Sequence, residues 1–166
     1  MKTVVEKIIS GGQTGVDRAA LDHALALDIP CGGWCPEGRR AEDGTLPAAS
    51  PAPANRGARY RRAHRTQCRH SCATLLITRG LITRGPPDGG SRLTLAIAPA
   101  LGRPHSVADL APSADPGPVV GRLAGEGVRV LDVAGPRESS KPGIYAETSR
   151  FLGDLFRRLG AAVTDR

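Results

Sequence analysis

Six consecutive residues, Ser10-Gly11-Gly12-Gln13-Thr14-Gly15, have the composition of a loop that holds an anion. Glycine lets the backbone turn tightly and approach a ligand closely. The amides of such a turn, with those of a helix that starts after it, attract negative charge. Gly11, Gly12, Gln13, Thr14 and Gly15 are therefore candidate ligand contacts, with the Thr14 hydroxyl as an added donor. No Lys-Ser/Thr pair follows, so this is not a Walker loop, and the spacing is not the dinucleotide G-x-G-x-x-G.

Two further turns repeat the design. Pro87-Asp88-Gly89-Gly90-Ser91 precedes a helical segment that carries Thr94, and Gly135-Pro136-Arg137-Glu138-Ser139-Ser140 follows the last predicted strand. Arg39, Arg40, Arg79 and Arg137 lie close to these turns in the chain, and Thr78 ends a strand next to Arg79. Arginine contacts phosphate through two parallel N–H donors. Groups for acid/base chemistry are sparser. His23, His64, His70 and His105 are scattered, and the carboxylates nearest the turns are Asp17, Glu42, Asp43 and Glu138. Asp17 and Glu138 are the candidates for a catalytic acid or base, against the competing roles of helix capping and pairing with arginine.

The elements that must position these turns alternate along the chain. Val4–Ile9 reads as a strand, about Asp17 to Leu27 as an amphipathic helix, and Ile29–Trp34 as a second extended segment. Cys35–Gly44 reads as a loop and Pro47–Gly57 as irregular chain, with a helix through the following arginines. Ala73–Thr78 is the clearest buried strand, Ser91–Leu101 a helix, Ser106–Leu110 a strand, Pro112–Pro118 a link and Val119–Ala124 a short helix. Val128–Ala134 is a strand of mixed pattern, and a last helix runs from about Gly143 to Leu159 with Gly160 as its stop. This order predicts a mostly parallel sheet with helices on both faces, and ligands in such folds sit outside the carboxyl ends of the strands. Leu76-Ile77-Thr78-Arg79-Gly80 is copied at once as Leu81-Ile82-Thr83-Arg84-Gly85, too short for an architectural repeat.

Composition sets the frame. The chain of 166 residues is 40% hydrophobic and 3% aromatic, which suits one α/β domain over residues 1–166 with an aliphatic core. No apolar run reaches the roughly 20 residues of a membrane helix, and the start lacks a signal peptide's apolar region, so a cytoplasmic protein with no membrane partner is expected. The net charge of +7 is almost wholly arginine, with Lys2, Lys7 and Lys141 the only lysines. Arg56, Arg59, Arg61, Arg62, Arg65 and Arg69 crowd together with only Tyr60 among them, which reads as a solvated face rather than a nucleic-acid platform. Cys31, Cys35, Cys68 and Cys72 form two C-x-x-x-C pairs, read as free thiols, with a metal site or a disulfide as alternatives. A small phosphorylated ligand is the expected partner.

Residues 7–22, Lys7-Ile8-Ile9-Ser10-Gly11-Gly12-Gln13-Thr14-Gly15-Val16-Asp17-Arg18-Ala19-Ala20-Leu21-Asp22, resemble the opening of the putative molybdenum carrier family. Gly33-Trp34-Cys35-Pro36-Glu37-Gly38-Arg39-Arg40-Ala41-Glu42-Asp43-Gly44 and Val133-Ala134-Gly135-Pro136-Arg137-Glu138-Ser139 carry the same likeness. The resemblance implies a three-layer Rossmann-like fold, of the group that also holds the lysine-decarboxylase-like phosphoribohydrolases. It implies a homo-oligomer and a phosphate-bearing ligand, either a nucleotide or molybdenum cofactor (molybdopterin). The second expectation, which rests on the carboxylates near the turns, is a hydrolase acting on a nucleotide or phosphate ester with Asp17 or Glu138 as the acid or base. The sequence departs from the family pattern at Thr66–Ala73, which is shortened, and its second glycine turn is followed by Ser91, Thr94 and Ala96 with no glutamate in reach.

Overall fold

All six residues of Ala73–Thr78 are buried, on both faces of the strand. Such a strand belongs in the interior of a sheet covered on both sides. The computed structural model describes residues 5–34, 40–45, 71–80, 97–111 and 114–164, and of residues 40, 45 and 161–164 the backbone alone. The elements are β1 (Lys7–Ile9), α1 (Val16–Ala26), β2 (Cys31–Gly32), β3 (Arg40–Ala41), β4 (Gly44–Thr45), β5 (Ala73–Thr78), β6 (His105–Asp109), α2 (Gly117–Gly125), β7 (Val130–Ala134) and α3 (Ile144–Thr164). Residues 97–100 are helical as well.

Five strands form one sheet in the order β2-β1-β7-β5-β6, and every pairing is parallel. If β7 is counted first and β1, β2, β5 and β6 after it, the spatial order reads 3-2-1-4-5. That is the doubly wound Rossmann order, with its first strand moved to the end of the chain. The fold is a three-layer Rossmann-like α/β fold. The strand order reverses at β7, so the crevice outside the carboxyl end of β7 is where this architecture places a ligand.

Alternation along the strands sorts the side chains onto two faces. Ile8, Leu131, Val133, Ala73, Leu75 and Ile77 share one face and join a core with Val16, Ala20 and Ala24 of α1, Val119 and Leu123 of α2, and Ile144, Leu152 and Leu155 of α3. Ile9, Thr74, Leu76, Asp132 and Ala134 lie on the other face and are buried too. Asp132 explains the mixed pattern of β7. It is a carboxylate 1% exposed in the central strand, and it accepts a hydrogen bond from Thr74 Oγ1 at 3.4 Å.

Several sequence expectations need correction. The segment Cys35–Gly44, read as a loop, contains β3 and the start of its antiparallel partner β4, with Glu42 and Asp43 closing the turn. β1 and β2 are shorter than expected, at Lys7–Ile9 and Cys31–Gly32. α2 begins at Gly117, inside the expected link, because Pro118 suits the first turn of a helix, where its missing N–H costs nothing. α3 runs through Gly160 to Thr164. One interior glycine costs only about 1 kcal/mol relative to alanine, and the buried row Phe151, Leu152, Leu155 and Leu159 anchors the helix against that loss.

Cys31 and Cys72 are free and stand on either side of β1 and β7. Burial raises the pKa of the Cys31 thiol, opposed by the charge of Lys7. Cys35, Cys68, the arginine cluster and the second pentapeptide copy lie outside the described residues. Among the described residues, no helix is long and apolar enough to cross a membrane.

Candidate functional site

The first and third glycine turns meet at the carboxyl ends of β1 and β7. The meeting is close enough to require glycine. A Cβ on Gly15, whose φ is +74°, would stand 2.5 Å from Pro136 O, and one on Gly135 would stand 2.4 Å from Ile77 O. The Val16 amide, first of α1, donates to Pro136 O at 3.2 Å. The Glu138 amide donates to Thr14 Oγ1 at 3.2 Å. The third turn therefore takes up the first amide of α1 and is tied to the first turn through Thr14.

The inner side of the first turn is organised around Asp17. This carboxyl is 6% exposed and accepts the Gln13 amide at 3.4 Å. Burial raises its pKa to about 7, against the opposing pull of Gln13, Ser10, Gly11 and Arg18. Ser10 Oγ donates to Val133 O at 2.6 Å. Its single proton is then committed to that carbonyl.

The outer side carries a seat for an anion, and Glu42 of the β3–β4 turn sits in it. Glu42 Oε1 accepts from the Ser139 amide at 3.0 Å and from the Thr14 hydroxyl, and Glu42 Oε2 accepts from the Ser139 hydroxyl. Arg137 Nε lies 3.7 Å from Oε2. Desolvation pulls the Glu42 pKa upward, but Ser139, Thr14 and Arg137 together hold it below the usual carboxylate value. Gln13 Oε1 fixes the hairpin's backbone by accepting the Glu42 amide at 2.8 Å and the Thr14 amide at 3.0 Å. Arg18 adds a fork onto Asp43 at 3.1 and 3.3 Å while donating to Gly12 O at 3.3 Å.

Glu138 takes the capping role that stood beside catalysis among the sequence expectations. One carboxylate oxygen accepts the Gly143 amide and the other accepts the Tyr145 amide at 3.0 Å. It caps α3, satisfying donors that a helix start leaves unpaired. Tyr145 in turn ties α3 to α1 through its hydroxyl, which donates to Asp22 at 2.7 Å. His23 rests beside α3, with its Cε1 near Gly153.

On the far side of the α3 start lies a cleft of about 510 Å³, within the size range of small-molecule sites. Arg79, Leu110, Ala111, Pro116, Glu147, Arg150 and Phe151 line it. Arg79 pairs with Glu147 at 2.7 Å and donates to Pro142 O at 3.0 Å. Thr78 is buried at the end of β5, and its hydroxyl reaches Gly80 O at 3.5 Å. Asp109 shapes this edge by accepting the amides of Gly80 and Ala111 at 2.8 and 3.0 Å.

The structure thus brings together Gly11, Gly12, Gln13, Thr14, Gly15, Gly135, Pro136, Arg137, Glu138 and Ser139, sets Arg79 at the neighbouring cleft and buries Thr78 beside it in the chain. Gly89, Gly90, Ser91, Thr94 and Arg39 lie outside the described residues, as does the side chain of Arg40. Sequence reasoning missed the seat-filling role of Glu42, the clamp made by Gln13 and the Arg18–Asp43 pair. The available signal was Asp43-Gly44, a general turn dipeptide, but strands of two residues show no alternation to support a hairpin.

A family model described as the circularly permutated YpsA SLOG family matches residues 8–156. Among solved structures, a "putative molybdenum carrier protein" from Syntrophus aciditrophicus SB is similar, with 34% sequence identity and a TM-score of 0.82. The match covers 93% of this chain and 97% of that one. None of the curated proteins matches.

Proposed function

Since the chain belongs to the circularly permutated YpsA SLOG family, we propose that it binds a small phosphate-bearing ligand, a nucleotide or a pterin cofactor, in the crevice at the carboxyl ends of β1, β7 and β5. One observation carries this reading: the Ser139 amide and hydroxyl, the Thr14 hydroxyl and the Arg137 guanidinium converge on a single pair of carboxylate oxygens. Donors aimed at one point from two separate turns suit an oxyanion. The cleft lined by Phe151, Leu110 and Arg79 is roomy enough for the organic part of the ligand.

Molybdenum cofactor is the named candidate, in keeping with the name of the similar solved structure. Its phosphate fits the donor set of Thr14, Arg137 and Ser139. The metal would be cargo, carried on the cofactor's own sulfurs. Among the described residues, no group of three His, Cys, Asp or Glu side chains could hold an ion.

The alternative is a hydrolase using Asp17 or Glu138. Glu138 has both carboxylate oxygens engaged in capping α3, and Asp17 is buried beneath the first turn, which favours binding over hydrolysis. We further propose a cytoplasmic homo-oligomer. Native mass spectrometry of the protein as isolated reads ligand and oligomer together. A retained phosphorylated cofactor, or a thermal shift with adenosine monophosphate that is lost in R137A/S139A, is the expected result. A protein that neither retains nor binds any phosphorylated compound overturns the reading.

A further inference from the structure

We propose that the Glu42 carboxylate is an internal occupant of the anion seat, and that a ligand's phosphate binds by displacing it and lifting the β3–β4 hairpin off the rim. The inference rests on the anion-binding reading above and adds how the site is governed. Glu42 is the only acid among the described residues whose carboxylate is held by donors from both glycine turns, Thr14 from the first and Ser139 from the third. Its two oxygens occupy the point at which a phosphate would collect the same donors, so the two anions cannot be seated together.

The hairpin is built to leave. Its strands are two residues each, Arg40–Ala41 and Gly44–Thr45. Among the described residues, nothing lies within 4 Å of where a Cβ on Gly44 would stand. Among the described residues, and apart from the Glu42 contacts and the Gln13 clamp, the hairpin is tied down by the Arg18–Asp43 pair, whose side chains are 29% and 51% exposed. Exposed pairs of this kind contribute only about 0–1 kcal/mol. A general-base role for Glu42 fits less well, because every neighbour that touches it stabilises its charged form, and a carboxylate so stabilised is a weak base.

An internal occupant lowers affinity by the fraction of time that the seat is open. A seat open for about a tenth of the time weakens binding about tenfold. Titration of E42Q and wild type with adenosine monophosphate and with inorganic phosphate tests the proposal. E42Q keeps the shape and removes the charge, so it is expected to bind both at least about tenfold more tightly. Hydrogen exchange on wild type gives a second readout that needs no variant. Saturating phosphate is expected to speed exchange at the amides of Glu42 and Gly44. Equal or weaker binding by a folded E42Q, with wild-type binding intact, overturns the displacement idea alone. So does slower exchange in the hairpin when phosphate is bound. Absence of binding in both proteins overturns the anion-binding reading and this inference with it.

Discussion

The carbonyl oxygen of Pro136 accepts the amide of Val16 at 3.2 Å, so the turn after the last strand takes up the first amide of the helix that follows the first. Two segments more than a hundred residues apart in the chain thereby form one rim. Gly15 sits at the crossing, its backbone in the left-handed region with Pro136 O and the Glu138 amide where a side chain would begin.

Replacing Gly15 with alanine is expected to destabilise the protein by at least about 2 kcal/mol, since positive-φ strain and overpacking add. Urea denaturation measures the loss. A G15A protein as stable as wild type would mean that the two turns separate easily.

Anion affinity is expected to follow the donors of the seat. T14V removes one hydroxyl, S139A another, and R137A the guanidinium. Each is expected to weaken binding of adenosine monophosphate roughly 10- to 150-fold, the range for losing a hydrogen bond to a charged group. Isothermal titration reads the change, and three unaltered affinities would place the phosphate elsewhere.

Glu138 is expected to act on stability rather than turnover. E138A removes the acceptor for the Gly143 and Tyr145 amides and is expected to cost about 1 kcal/mol, as a lost helix cap does. Thermal denaturation should show this loss, with E138Q intermediate. Phosphate-ester turnover that vanishes in a fully stable E138Q would instead make Glu138 catalytic.

Asp17 gives the stability a pH dependence of definite sign. Its carboxyl, buried under the first turn, titrates at about 7 when folded and at 3.8 as a free side chain. Between those values the folded chain keeps a proton that the unfolded chain has released. The contribution is fully present below 3.8 and is lost as the pH rises through about 7. Relative to D17N, which has no such group, wild type is expected to lose roughly 4 kcal/mol across that window. Denaturation midpoints of the two proteins between pH 4 and pH 8 check it. A constant difference would mean that Asp17 stays ionised throughout.

Much of this architecture is legible from residue patterns, and the exceptions have physical causes. Ala73–Thr78 was clear because a strand covered on both faces reads as an unbroken apolar run. The first and third turns were clear because tight backbone crossings demand glycine at Gly15 and Gly135. The β3–β4 hairpin was not, since its Glu42 and Asp43 are fixed by Thr14, Ser139, Gln13 and Arg18, partners distant in the chain. Asp17 and Glu138 were rightly placed near the rim, but their tasks depend on which amides reach them, and residue type does not show that. The stop assigned to Gly160 failed because local propensity is weak beside the packing of Leu155 and Leu159.

The place of β7 has a consequence for how the protein comes into being. β7 lies between β1 and β5 and pairs with both, yet it is made after every other strand of the sheet. Until it emerges from the ribosome, the β1–β2 pair and the β5–β6 pair share no strand, and each shows an open edge to the crowded cell. Assembly therefore waits on one late segment, a non-local step of the kind that slows folding and prolongs exposure to chaperones. The same late segment carries Gly135, Arg137 and Ser139 just beyond it, so the sheet and the anion seat are completed in a single event.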